Sequence, residues 1–230
     1  MRRTTCFITG TDTGVGKTVL TRLLAQYLRS QGIRAAALKP VCSGGRDDAR
    51  MLHAVLNGAL TLDEVNPWHF RAPMAPLLAA RQEHRRVSCA EVLAHIRAMQ
   101  SRFDVVLIEG AGGLLSPLGE KFDSRDLIVR LHATPIIVCP NRLGAVNQVL
   151  LTLEALPAKV TARARVVFMS PPKPDTSTQS NPNLLAEHFD GRRIFRLPWL
   201  GARFALARGL QNFGVRKAVK KLASSLYIFL

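Results

Sequence analysis

Near the start of the chain, Gly10-Thr11-Asp12-Thr13-Gly14-Val15-Gly16-Lys17-Thr18 sets glycines beside a terminal Gly-Lys-Thr. These residue types build a phosphate cradle. Glycines let the backbone curl until several N–H groups converge on phosphate oxygens, and a helix opening at Lys17 adds partial positive charge. A lysine there reaches the β- and γ-phosphates, and the neighbouring threonine hydroxyl belongs in the shell of a Mg²⁺ ion. Nucleotide contacts are therefore expected at Gly14, Val15, Gly16, Lys17, Thr18 and Val19. The spacing departs from the strict P-loop: five residues, not four, separate Gly10 from Gly16, and Thr11 stands at the usual first-glycine position.

Further residues able to do chemistry stand near the ends of apolar runs. Lys39 leaves the run 35–41, where a cation can hold an anion at the ligand edge of a sheet. Glu109 follows the strongly apolar run 103–108 and opens Gly110-Ala111-Gly112-Gly113. P-loop proteins hold a metal-associated carboxylate at such a place, and the glycines permit close approach of a ligand. Asp48 is a second candidate carboxylate. The expected metal set is Thr18, Asp48 and Glu109.

The elements that must position these residues alternate in type. Apolar runs at 5–9, 35–41, 103–108, 135–139, 165–169 and 194–197 read as strands without polar alternation. Leu20, Leu23, Leu24, Tyr27 and Leu28 recur on one face of a helix, with Gly32 suited to its C-terminal end. Segments 49–56, 90–100, 145–156 and 204 onward also read as helical. Residues 57–86 read as loop with short helical pieces, and 171–182 as a polar, proline-rich loop. The fold class is α/β: one doubly wound, mainly parallel sheet over 1–230, with helices on both faces and the P-loop after the first strand. Ligands in such a fold meet the loops at the carboxyl ends of the strands.

Composition bounds the rest. With 47% apolar residues the chain can bury a sizeable core, and no apolar run reaches the length of a membrane span. The apolar part of the opening MRRTTCFITG is too short for a signal-peptide core, so a cytoplasmic protein is expected. Cys6, Cys42, Cys89 and Cys139 are scattered without metal-ligand spacing and read as free thiols. Lys plus Arg number 32 against 16 Asp plus Glu, a formal charge of +16. The basic clusters, Arg192-Arg193-Arg196 and Arg216-Lys217-Lys220-Lys221, lack the interleaved aromatics of a nucleic-acid stacking platform, and read as a solvated face.

Taken in order, GTDTGVGKT, LKPVCSGG, Asp48, VNPWHF, IEGAGG, RLGAVNQVLLT and RLPWL resemble the dethiobiotin synthetases, from about Thr5 to Leu200. The resemblance implies a ligase of biotin biosynthesis that closes a ureido ring on 7,8-diaminononanoate with CO₂, ATP and Mg²⁺, in a homodimer. It implies that Lys17 and Thr18 grip phosphate and metal and that Lys39 stabilises a carbamate and its phosphorylation, making Lys17 and Lys39 catalytic. Thr13 and Ser43 match substrate contacts. Gly144, Ala145 and Asn147 match a helix start that receives the substrate carboxylate near a dimer interface. Asp48, Glu109, Gly110, Ala111 and Gly112 match nucleotide and metal contacts, and Ser170, Pro198, Trp199 and Leu200 border the base. Three positions depart from the family: Ser170 replaces an asparagine that reads adenine, Leu77 a histidine, and Ala202 an acidic residue near the ribose.

Two other P-loop readings compete. An amidoligase of the cobyrinate-synthase type usually carries an added glutaminase domain, for which 230 residues leave no room. A partition-type, DNA-associated ATPase needs a lysine where Asp12 stands, and aspartate there repels phosphate. Small-molecule partners are expected, and nucleic acid is not.

Overall fold

The computed structural model describes residues 3–201 and 209–226. Its centre is β1 (Thr4–Gly10), which has neighbours on both sides and is buried from Cys6 onward. β5 (Val105–Glu109) pairs with it on one side and β6 (Thr134–Pro140) on the other. With β2 (Ala35–Leu38), β7 (Arg165–Met169) and β8 (Ile194–Leu197), the order is β2-β5-β1-β6-β7-β8, and each of these ladders is parallel. In register, Ile8 lies opposite Glu109 and Gly10 opposite Val138. The P-loop, Lys39, Glu109, Ser170 and Pro198 therefore emerge at one edge of the sheet, as the parallel reading requires.

α1 (Lys17–Ser30) starts directly from the P-loop and buries the expected face, Leu20, Leu23, Leu24, Tyr27 and Leu28. Gly32 follows the helix end with φ 77°, the left-handed conformation that glycine adopts without penalty. α2 (Asp47–Ala54) carries Asp47 and Asp48 in its first turn, where the dipole favours them. α3 (Leu62–Val65), β4 (Trp68–Phe70) and α4 (Pro76–Gln82) fill the irregular stretch. α5 (Cys89–Arg102), α6 (Ser124–Arg130), α7 (Ala145–Glu154) and α8 (Ala158–Thr161) follow, and α9 (Thr176–Ala186) and α10 (Phe213–Ser225) end the described chain. No described helix is long and apolar enough to cross a membrane.

Two expectations are corrected. The run 35–41 is not one strand. It leaves β5 at Leu38, and Val41–Ser43 forms a separate strand, β3, paired with β4. The cause lies at Lys39-Pro40. The Lys39 N–H bonds the Val65 carbonyl, Pro40 has no N–H, and the buried Asn66 amide donates to the Lys39 carbonyl at 2.6 Å. The second correction concerns 171–182. From Thr176 this segment is α9, begun by a reciprocal capping box between Asp175 and Thr178, and it continues through Pro182. A proline inside a helix leaves the carbonyl four residues back without its N–H partner. Here that carbonyl, of Thr178, accepts the Asn141 side-chain amide at 2.8 Å. Phe204 and Ala202 lie outside the described residues; the last helix is described from Phe213.

Candidate active site

The P-loop wraps around the start of α1. Gly14 and Gly16 have φ of 73° and 97°, and a side chain on Gly16 would also strike Met169. Lys17 is buried, and its ammonium donates to the Asp12 carbonyl at 2.8 Å across the loop. Burial first, and then the nearby positive charge of Lys39, lower its pKa to about 8. A bound polyphosphate supplies the negative charge that this buried cation lacks.

Next to it stands a compact polar cluster. Lys39 Nζ lies 2.6 Å from Glu109 Oε1 and 2.8 Å from Asp48 Oδ2. Thr18 Oγ1 donates to the same Glu109 oxygen at 2.7 Å. Burial pulls the Lys39 pKa down, but Glu109 and Asp48 together outweigh it and hold the ammonium above its ordinary value. Burial likewise pushes Asp48 up, and Lys39, then Thr18 and Lys17, outweigh it and keep the carboxyl below its usual range. Lys39 is thus a fixed cation rather than a base.

The cluster also fits a hard divalent cation. Glu109 Oε2 is buried without a hydrogen-bond partner, although its sister oxygen accepts from two groups. Thr18, Asp48 and Glu109 offer only oxygen donors, the kind Mg²⁺ prefers. Among the described residues no group of three or more His, Cys, Asp or Glu could cage a metal.

Two lobes of one cleft meet at the P-loop, sharing Gly14, Gly16, Thr18, Val19 and Met51. The first, of about 760 Å³, holds Lys17, Lys39, Asp48, Glu109, Ala111 and Gly112, along with Thr13 and Ser43. The second, of about 510 Å³, holds Val15, Ser170, Pro198, Trp199 and Leu200. The phosphate-facing and base-facing residues expected from sequence therefore separate onto opposite sides of the loop. Gly110 lines neither lobe; its N–H continues the sheet ladder to the Ile8 carbonyl. Gly144, Ala145 and Asn147 at the start of α7 also line neither.

A family model described as an AAA domain matches residues 4–202. The ATP-dependent dethiobiotin synthetase BioD of Anaeromyxobacter sp. (strain Fw109-5) is 43% identical over 185 residues, covering 78% of this chain and 83% of that protein. The same enzyme of Marinobacter nauticus is 34% identical, covering 87% and 90%. The chain belongs to the ATP-dependent dethiobiotin synthetase family. Two solved structures share its fold at low identity. A ParA family ATPase from Chlorobium tepidum has a TM-score of 0.59 at 12% identity, covering 97% of this chain and 98% of that one. pNOB8 ParA bound to nonspecific DNA has 0.57 at 14%, covering 98% and 97%.

The positions that depart from the dethiobiotin synthetase pattern fall in different places. Ser170 lines the second lobe at the end of β7. Leu77, in the first turn of α4, lines neither lobe, and its N–H bonds the Pro117 carbonyl. Sequence reasoning missed three residues of consequence. Asn66 sets the strand break that delivers Lys39, Met51 lines both lobes, and Asn141 lies between the second lobe and α9. Asn141 follows the fourth strand of the sequence reading, one of the ligand-edge loops, so its position was signalled although its role was not.

Proposed function

We propose that this chain makes dethiobiotin from 7,8-diaminononanoate, CO₂ and ATP, with the first lobe as the reaction chamber and the second as the nucleotide-base slot. The observation that carries the assignment of roles is Lys39, buried between Asp48 and Glu109 and close enough to Lys17 to lower its pKa. One substrate amine attacks CO₂, forming a C–N bond and releasing a proton to give a carbamate. A carbamate oxygen then attacks the γ-phosphorus, the β–γ P–O bond breaks, and ADP leaves. The second amine attacks the carbamoyl carbon, the ring closes, and phosphate departs with the C–O electron pair.

The residues present suit these steps. Charge develops on transferring oxygens, and fixed cations stabilise it more than a strong base would. Lys17 covers the β- and γ-phosphates. Lys39, held protonated by its carboxylate partners, faces the carbamate. Thr13 and Ser43 border the diamine. Thr18, Asp48 and Glu109 hold Mg²⁺, which when bound neutralises the phosphate charge that the transfer must pass through.

We also infer a homodimer. Gly144 and Asn147 are exposed, while Leu143 and Leu151 beside them are 84% and 63% exposed. A second copy laid on this helix face would cover both leucines and present the α7 N-terminus to its neighbour's substrate carboxylate. The expected setting is the cytoplasm.

The decisive assay mixes purified protein, diaminononanoate, bicarbonate, Mg²⁺ and ATP. Dethiobiotin and phosphate should appear in equal amounts. Phosphate release without dethiobiotin would refute the reaction.

A further inference from the structure

The second lobe of the cleft is built unlike the first. Met51, Met169, Pro171, Pro198, Trp199 and Leu200 give it mostly apolar walls. Trp199 is 53% exposed, so its ring is available as a stacking surface. Stacking on an aromatic ring tolerates any base, because every base has a π-face. Methionine walls adapt to different shapes, a feature of binding surfaces that accept several partners.

Selecting one base needs a side chain that pairs with its edge. A carboxamide does this well, since it presents a donor and an acceptor together. Among the described residues the lobe contains one carboxamide, Asn141, and it is committed elsewhere. Its Nδ2 donates to the Thr178 carbonyl, and its Oδ1 accepts from Asn181 Nδ2 at 2.9 Å. Pro182 has no N–H to offer Thr178, so turning Asn141 toward a base would strand that carbonyl. Asn141 is 2% exposed and cannot trade these bonds for water.

Among the described residues, the other polar side chains of the lobe's far wall are a serine and two arginines. Ser170 offers a single hydroxyl, and its backbone N–H is spent on the Leu197 carbonyl at 2.9 Å. Arg22, half-buried, and Arg142, exposed, also line the lobe. Arginine pairs best with the guanine edge, so neither side chain favours adenine.

We propose that the base slot recognises nucleoside triphosphates by stacking and by their phosphates, so that GTP, CTP and UTP serve alongside ATP, with Ser170 as the specificity-determining residue. The inference rests on the reaction assigned above.

The test compares initial rates of dethiobiotin formation with the four triphosphates, alongside equilibrium binding of their non-hydrolysable analogues. The expected kcat/KM values lie within about tenfold of one another, below the span of up to about a hundredfold that one bidentate edge contact would add. Binding constants should cluster likewise. Ser170→Asn should raise the preference for ATP by about tenfold or more, since it restores a carboxamide at the base edge. An ATP preference beyond about tenfold in the parent would overturn the proposal, because backbone groups near Trp199 would then be reading adenine. An unchanged preference in a folded Ser170→Asn protein would remove Ser170 from the role. If no triphosphate yields dethiobiotin, the reaction assignment fails, and the binding constants still decide base tolerance. Should Ser170→Asn not fold, the parent's binding series decides alone.

Discussion

On one side of the P-loop the side chains are charged and already bonded to one another. On the other they are mostly apolar, and the carboxamide among those described is turned away. Lys39, Asp48, Glu109 and Thr18 hold each other in place before any ligand arrives, so the reaction chamber is preorganised. In the base slot the hydrogen bonds of Asn141 run outward, to α9. Chemistry demands fixed charge at fixed places, whereas holding a flat ring demands only a surface. The proposed reading is therefore of a nucleotide gripped tightly at its phosphates and loosely at its base.

The contrast can be broken most severely at the phosphates. Lys17→Ala should reduce turnover by more than about a hundredfold and remove most affinity for every triphosphate alike. Calorimetry and phosphate release measure both, and turnover within about tenfold of the parent would contradict the role.

Lys39→Met should abolish phosphate release with diamine and CO₂ while sparing most ATP affinity. It also leaves Glu109 buried without its cation, a change worth about 3–5 kcal/mol of stability. The double variant Lys39→Met with Glu109→Gln should regain stability without regaining activity. Chemical denaturation beside the turnover assay separates the two effects. A collapse of ATP affinity with residual turnover would assign Lys39 to the wrong ligand.

Trp199→Ala tests the other lobe. Loss of a stacking platform should weaken all four triphosphates by a similar factor, about tenfold to a hundredfold. Titration of each nucleotide checks this, and a loss confined to ATP would mean that the indole reads adenine rather than merely supporting it. At the dimer face, Leu151→Asp should shift sedimentation toward monomer and raise the KM for the diamine. Dimers with unaltered KM would detach α7 from the substrate site.

The smallest effect is expected at Asp175. Hydrogen bonds from Thr178, then Ser177, hold its pKa down to about 2. A carboxyl depressed in the folded state stabilises the fold above its ordinary pKa, and that contribution is lost as pH falls toward the folded value. Asp175→Ala should therefore lower Tm by a few degrees at neutral pH, and parent and variant should converge as pH falls from about 4 to about 2. Thermal melts across that window would show parallel curves if the cap contributes nothing.

How much of this was legible in the sequence differs between the lobes. Gly-Lys-Thr after an apolar run and Glu109 after another declare their places, because charged residues at strand ends have few other reasons to be there. The helix through 176–186 was hidden, since Ser, Thr, Asn and Pro182 all argue locally against helix. Its stability depends on Asn141, some forty residues earlier in the chain. The break after Leu38 was hidden for a similar reason. Pro40 hints at it, but the amide of Asn66 and the carbonyl of Val65 complete it.

The sequence by itself determined the alternating parallel sheet, the phosphate loop and the identities of the charged residues, because periodicity and residue type are local properties of the chain. Only the tertiary structure decided that Lys39 bridges two carboxylates from different elements, that the residues expected at base and phosphate divide into two lobes, and that the Asn141 amide bonds a proline-interrupted helix. Each of those outcomes depends on which hydrogen-bond partner lies within about 3 Å, and folding alone sets that for residues far apart in the chain.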